Sequence, residues 1–159
     1  MAFTEVVKRK MSNSSVKIKH MLIGALLRVP GQAIQRRIIK ELNAAGFRDL
    51  RMPHMAVLQF PGPDGVRPGL LAERAGMSKQ AINQLLRSLE ALGYIVRSDA
   101  PNESRARVVH LTKRGHSAYT KIHDILRDIE SEWSAELGAK HFTELKEMLL
   151  RVWESPLIH

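Results

Sequence analysis

Five side chains within one short span, Lys79, Gln80, Asn83, Gln84 and Arg87, are of the types and spacing that hydrogen-bond to the edges of nucleic-acid bases. At about 100° per residue, Gln80, Asn83, Gln84 and Arg87 fall on one side of a helix with Lys79 at its flank. Ile82, Leu85, Leu86, Leu89 and Leu92 fall on the other. In the major groove Arg or Lys donates two hydrogen bonds to guanine, and Asn or Gln matches the donor and acceptor of adenine. No carboxylate stands on that face to repel phosphate. The same pattern also describes an ordinary solvated helix surface, so the flanking sequence has to decide.

The flanks predict a helix, a tight turn, a second helix and a hairpin. A short helical pattern over 70–75 stops at Gly76, whose missing Cβ permits the left-handed conformation that ends a helix. Ser78 follows, where a hydroxyl caps the orphan N–H groups of a new helix over 78–92 and can also meet phosphate. Gly93 closes that helix. Tyr94, Ile95 and Val96 read as one strand and Val108, Val109, His110 and Leu111 as its partner, with the turn formers Asp99, Pro101, Asn102 and Ser104 between them. Arg97, Arg105 and Arg107 put positive charge on this hairpin, as a probe of a narrow minor groove requires. A solvated hairpin whose arginines aid solubility is the plainer alternative.

Residues 66–115 resemble, without gaps, the DNA-binding core of the MarR family of bacterial winged-helix regulators. The resemblance rests on Leu71-Ala72-Glu73 in the first motif helix, Ser78-Lys79 opening the recognition helix, and Leu89-Glu90 with Gly93-Tyr94-Ile95 at its end. It continues in Leu111-Thr112-Lys113-Arg114-Gly115 after the hairpin. At the wing tip, where the family has Asp-Arg-Arg, this chain has Glu103-Ser104-Arg105, so Arg105 alone inherits the wing-arginine role. The resemblance implies a homodimer that sets two recognition helices into successive major grooves of a pseudo-palindromic operator. It also implies release by a small aromatic or phenolic ligand held in a crevice between the dimer helices and the DNA-binding lobe. His20 and Arg28 on the first helical segment, with His54 and Met55 on the second, are the candidate effector contacts.

The elements that must carry this core are helical. Apolar residues recur at helical spacing over 16–45, interrupted by Pro30-Gly31, which predicts one kinked helix or two consecutive ones. Residues 49–60 read as a further helix, and Val66-Arg67 as a short third strand against the wing. A long helix to about 137 and a last one over 139–153 carry apolar stripes too large for a small winged domain to bury alone, so they predict burial on a second copy. An enlarged core within one chain is the alternative. The fold class expected is mainly α with a small β-hairpin wing, an α+β winged helix. Residues 1–46 and 113–159 form the helical dimerisation region and 47–112 the DNA-binding domain.

Composition narrows the partners. In 159 residues, 25 Lys and Arg face 16 Asp and Glu, a formal charge of +9 that favours polyanions. Aromatic residues make up 5% of the chain, too few for the stacking platforms of a single-strand binder. There is no cysteine, which removes thiol nucleophiles, disulfides and cysteine-ligated zinc. The longest apolar run, 21–27, is far short of a bilayer span of about 20 residues, and the first residues lack the order of a secretory signal. No membrane partner and a cytoplasmic protein are expected. No HExxH helix, nucleophile elbow or phosphate-binding glycine loop is present, and His110, His116 and His123 do not make a ligand set by spacing. Neither enzyme activity, a cofactor nor a metal is expected. The competing reading is a winged-helix interaction module whose cations meet an acidic protein partner.

Overall fold

The computed structural model describes residues 21–59, 65–99 and 107–156. The chain divides into two compact units, Met1–Ile34 and Gln35–His159. Helix α1 (Ile23–Ala44) begins in the first. It continues through Pro30 although that residue cannot donate a ladder hydrogen bond, so the pattern over 16–45 resolves into one helix; residues 16–20 lie outside the described residues. In the first unit Leu22, Ile23 and Val29 are exposed.

In the second unit Ile38 and Leu42 of α1 are fully buried. The helix expected over 49–60 is shorter than its pattern. A 3-10 turn, Met52–His54, runs into a single helical turn, α2 (Met55–Leu58). Two groups cut it short: Pro53 has no N–H to give, and the Arg51 N–H is taken by the His54 ring rather than by a helical carbonyl.

Helix α3 (Pro68–Arg74) ends in a turn at Gly76, whose φ of 60° an L side chain rarely adopts. Helix α4 (Lys79–Ala91) follows at once. Strands β1 (Ile95–Asp99) and β2 (Arg107–Leu111) pair antiparallel, with Arg97 opposite Val109 and Asp99 opposite Arg107. Val66 bridges to Val109, as the short third strand expected there. Helices α5 (Lys113–Leu137) and α6 (Ala139–Trp153) complete the described residues. The architecture is mainly α with a two-stranded wing, a winged helix.

The core decides which way α4 faces. Ile82, Leu86 and Leu89 are fully buried, in a core that also takes in Leu71 of α3, Tyr94, Val109 of the wing, and Ile122 and Ile125 of α5. Each such aliphatic side chain is worth about 1.5–3 kcal/mol in burial, so turning α4 by half a revolution would cost several times that. Its polar side is therefore held outward. Helix α6, in contrast, buries no residue, and Met148, Leu150 and Trp153 are all at least 45% exposed.

Candidate nucleic-acid interface

Helix α4 starts where the sequence places it because Ser78 is extended and its Oγ accepts the Ala81 N–H at 3.1 Å. Ser78, Lys79, Gln80, Gln84 and Arg87 are exposed. Asn83 is half-buried and its Nδ2 donates to the Lys79 carbonyl at 2.8 Å, which leaves its side-chain carbonyl as the outward acceptor. The six residues thus lie along the first three turns of one helix, with donors and acceptors interleaved and no carboxylate among them.

The wing residues separate. Arg107 is exposed at the end of β2 next to the tip. Arg105, with Glu103 and Ser104, lies outside the described residues. Arg97 turns back onto α4: its guanidinium grips Glu90 Oε2, with Nε at 3.0 Å, and its side chain is 15% exposed. The hydrogen bond from Arg97 holds the Glu90 carboxyl below the usual carboxylate range. Arg97 therefore joins the wing to the recognition helix, a role that nothing in the spacing of the hairpin arginines reveals.

A sequence profile of the MarR family matches residues 55–106, from α2 through the wing tip. The HTH-type transcriptional repressor Rv2887 of Mycobacterium tuberculosis is 27% identical over 128 residues, 80% of this chain and 90% of its own. The structure of Rv2887 with salicylic acid aligns with 83% of this chain and 96% of its own at 26% identity and a TM-score of 0.59. Over the recognition helix and wing the chain is thus similar to the MarR family. The fold is also that of CouR on a 23-mer DNA duplex, at 18% identity over 84% of this chain and 93% of that one, TM-score 0.67. CouR from Rhodococcus jostii RHA1 with p-coumaroyl-CoA gives the same TM-score, 0.67, at 21% identity over 82% and 90% of the two chains.

A clamp fixes the base of the wing. Tyr94 is buried and its hydroxyl donates to Asp49 Oδ1 at 2.6 Å. Arg114 donates to Asp49 Oδ2 at 2.8 Å and to the Leu92 carbonyl at 2.6 Å, and its guanidinium lies 4.4 Å from the Tyr94 ring centre. Burial works against the Asp49 charge, but the Tyr94 hydrogen bond and Arg114 outweigh it and hold the carboxyl below its ordinary value. Burial and the same carboxylate push the Tyr94 hydroxyl up. Thr112 donates to the Gly93 carbonyl at 2.6 Å and accepts the Gly115 N–H at 3.0 Å, so the Leu-Thr-x-x-Gly run is the α5 N-cap closing onto the end of α4. Asp49 and Arg114 were not singled out by sequence, since one lies in a loop and the other at a variable position of that run.

The effector candidates fall in different parts of the chain. His20 lies outside the described residues, and Arg28 is exposed on α1 in the first unit. His54 is buried, its Nδ1 accepting from the Arg51 N–H at 3.1 Å and its Nε2 3.0 Å from Ser88 Oγ on α4. Met55 is buried too, but it lines a crevice of about 410 Å³ with Gln35, Met52, Pro53, Gln59 and Met77. Three methionine thioethers and two amides make that crevice soft and uncharged. Among the described residues there is no cluster of three or more His, Cys, Asp or Glu side chains that could hold a metal, and no helix is long and apolar enough to cross a membrane.

Proposed function

We propose that this chain is a sequence-specific, double-stranded DNA-binding transcriptional repressor that works as a homodimer on a pseudo-palindromic operator. The carrying observation is the outward side of α4, with Lys79, Gln80, Gln84 and Arg87 exposed on a helix whose opposite side is locked in the core. Gln80, Gln84, Asn83 and Arg87 read base edges, Lys79 and Ser78 meet phosphate, and Arg105 and Arg107 serve the wing. The formal charge of +9 supplies sequence-independent attraction and fast encounter. The names of the Mycobacterium relative and of CouR on DNA support the same reading.

The apolar residues that α6 leaves exposed are the surface for a second copy. One two-fold axis then spaces the half-sites about 10 base pairs apart, one turn of the duplex. The protein's place of action is the cytoplasm, where its operator is.

A small aromatic ligand relieves repression. Rv2887 was solved with salicylic acid, and here the crevice of Met52, Met55 and Met77 offers sulfur contacts to a ring while Gln35 and Gln59 offer amides to a hydroxyl or carbonyl. Such a ligand acts only through different affinities for DNA-competent and incompetent forms.

Selection of bound sequences from a pool of random duplexes tests the proposal. A recovered palindrome with half-sites one turn apart is the expected result. Recovery of no common sequence would replace the repressor by an interaction module for an acidic protein.

A further inference from the structure

Ser88 is the one residue of α4 whose side chain is hydrogen-bonded to the 3-10 turn, and the group that reaches it is the ring of His54, 5% exposed. The two ring nitrogens have different duties. Nδ1 lies 3.1 Å from the Arg51 backbone N–H, which can only donate, so Nδ1 must be the bare, accepting nitrogen. The proton of the neutral ring then sits on Nε2 and is donated to Ser88 Oγ at 3.0 Å. We propose that His54 is a positioning residue for the recognition helix: as the neutral Nε2–H tautomer it ties Ser88, the neighbour of Arg87, to the backbone of the turn at Arg51. This rests on the DNA-binding reading above and extends it to what sets the pitch of α4 on the duplex.

The bridge holds in one protonation state. A second proton on Nδ1 would point an N–H at the N–H of Arg51, two donors about 3 Å apart with no acceptor between them. The ring must then leave one of its partners, and α4 loses its tie to the turn. Burial favours the neutral ring and outweighs the charge of Asp49, which favours the cation; Arg51 adds a smaller push in the same direction as burial. Those two charged groups lie on the ring's own segment, and α4 presents to it the uncharged hydroxyl of Ser88. Because the cation is disfavoured in the bridged form, protons compete with DNA. Affinity is complete while the ring is neutral and is lost as pH falls through its folded value, which lies below the ordinary histidine value of about 6.5.

Two substitutions divide the ring's duties. In His54→Gln the amide nitrogen reaches the place of Nε2 and still donates to Ser88, without titrating. In His54→Asn the amide oxygen takes the place of Nδ1 and still accepts from Arg51, but the link to Ser88 is gone. Ser88→Ala breaks the same link from the α4 side, where alanine favours the helix.

The experiment is an anisotropy titration of the full chain on its selected operator between about pH 7.5 and 5.5, with melting curves and the nitrogen NMR spectrum of the His54 ring. The parent should lose affinity several-fold on acidification. His54→Gln should bind as the parent does near neutrality and lose that pH dependence. His54→Asn and Ser88→Ala should bind several-fold more weakly at neutral pH while melting within a few degrees of the parent. The ring spectrum should be that of a neutral Nε2–H tautomer. An Nδ1–H tautomer, parent affinity in Ser88→Ala, or parallel pH profiles for the parent and His54→Gln would each overturn the inference while leaving the repressor reading intact. A parent that binds no duplex at all would overturn both.

Discussion

A Cβ built on Gly115 would lie 1.9 Å from the carbonyl oxygen of Tyr94. The first turn of α5 is therefore pressed directly against the backbone where α4 passes into the wing, and only a residue without a side chain permits it. The same carbonyl accepts the Thr112 N–H at 3.0 Å, so it cannot simply swing aside. Gly115→Ala should destabilise the protein by at least the 1–3 kcal/mol of ordinary overpacking, which for a chain of this size is a fall in Tm of roughly 2–4 °C per kcal/mol. Gly69→Ala, in the first turn of α3 with open space around it, should leave Tm unchanged or raise it. Equal melting of the two variants would show that the close approach at residue 115 does not matter.

Arg87 is exposed on α4 and takes no part in the buried stripe. Arg87→Ala should leave the melting curve and oligomeric state as they are and weaken operator binding by about 1–3 kcal/mol, the worth of a bidentate base contact. A titration with unchanged affinity removes Arg87 from the readers. Gln80→Ala tests the adenine side of the same code, and its loss should be concentrated at one base pair of each half-site.

The recognition helix was legible because its signals agree at every level. Ser78 caps it, Ile82, Leu86 and Leu89 bury it, and Gly93 ends it, all within residues local to one another. The wing pairing was legible for the same reason. What escaped depends on which partner a side chain finds in three dimensions, near in sequence for Arg97 and Glu90 and distant for the others. Nothing local says that Arg97 will fold onto Glu90 rather than face solvent, that Asp49 will gather Tyr94 and Arg114, or that His54 will face Ser88. The shortened helix after residue 51 escaped because Pro53 reads as tolerable in a first turn and nothing local shows that the His54 ring takes the Arg51 N–H.

Phosphate contacts should make operator affinity fall steeply with salt. If each protomer contributes Lys79 and its wing arginines, the dimer neutralises on the order of six phosphates, and log affinity should fall with log salt at a slope of roughly −5. Binding isotherms over a salt series measure it. A slope near zero would remove phosphate contact as the main source of affinity.

Acid should weaken the Asp49 clamp in a defined window. Because the folded carboxyl is held below its unfolded value of about 3.9, its contribution is complete above that value and is lost as pH falls through the lower, folded one. Asp49→Asn keeps an acceptor for the Tyr94 hydroxyl but has no proton to gain. Its stability should be lower than the parent's near neutrality and approach it as pH falls through the folded value. Denaturant midpoints at a series of pH values report the difference, and curves that stay parallel would mean that Asp49 contributes no charge-dependent stability.

Helix α6 presents a shallow apolar trough lined by Lys146, Leu149, Leu150 and Trp153, and none of its residues is buried within the chain. Left to water, that surface would oppose solubility, whereas a second copy would cover it and set the spacing of the two recognition helices in one step. Leu150→Glu with Trp153→Glu places carboxylates in the trough without touching the core around α4. Light scattering should then give the mass of one chain in place of two, and operator affinity should collapse toward that of a single half-site, because the second contact is no longer held at high effective concentration. A variant that keeps the parent's mass would exclude this side of α6 as the dimer interface. A monomer that keeps full operator affinity would exclude the two-fold mode of binding itself.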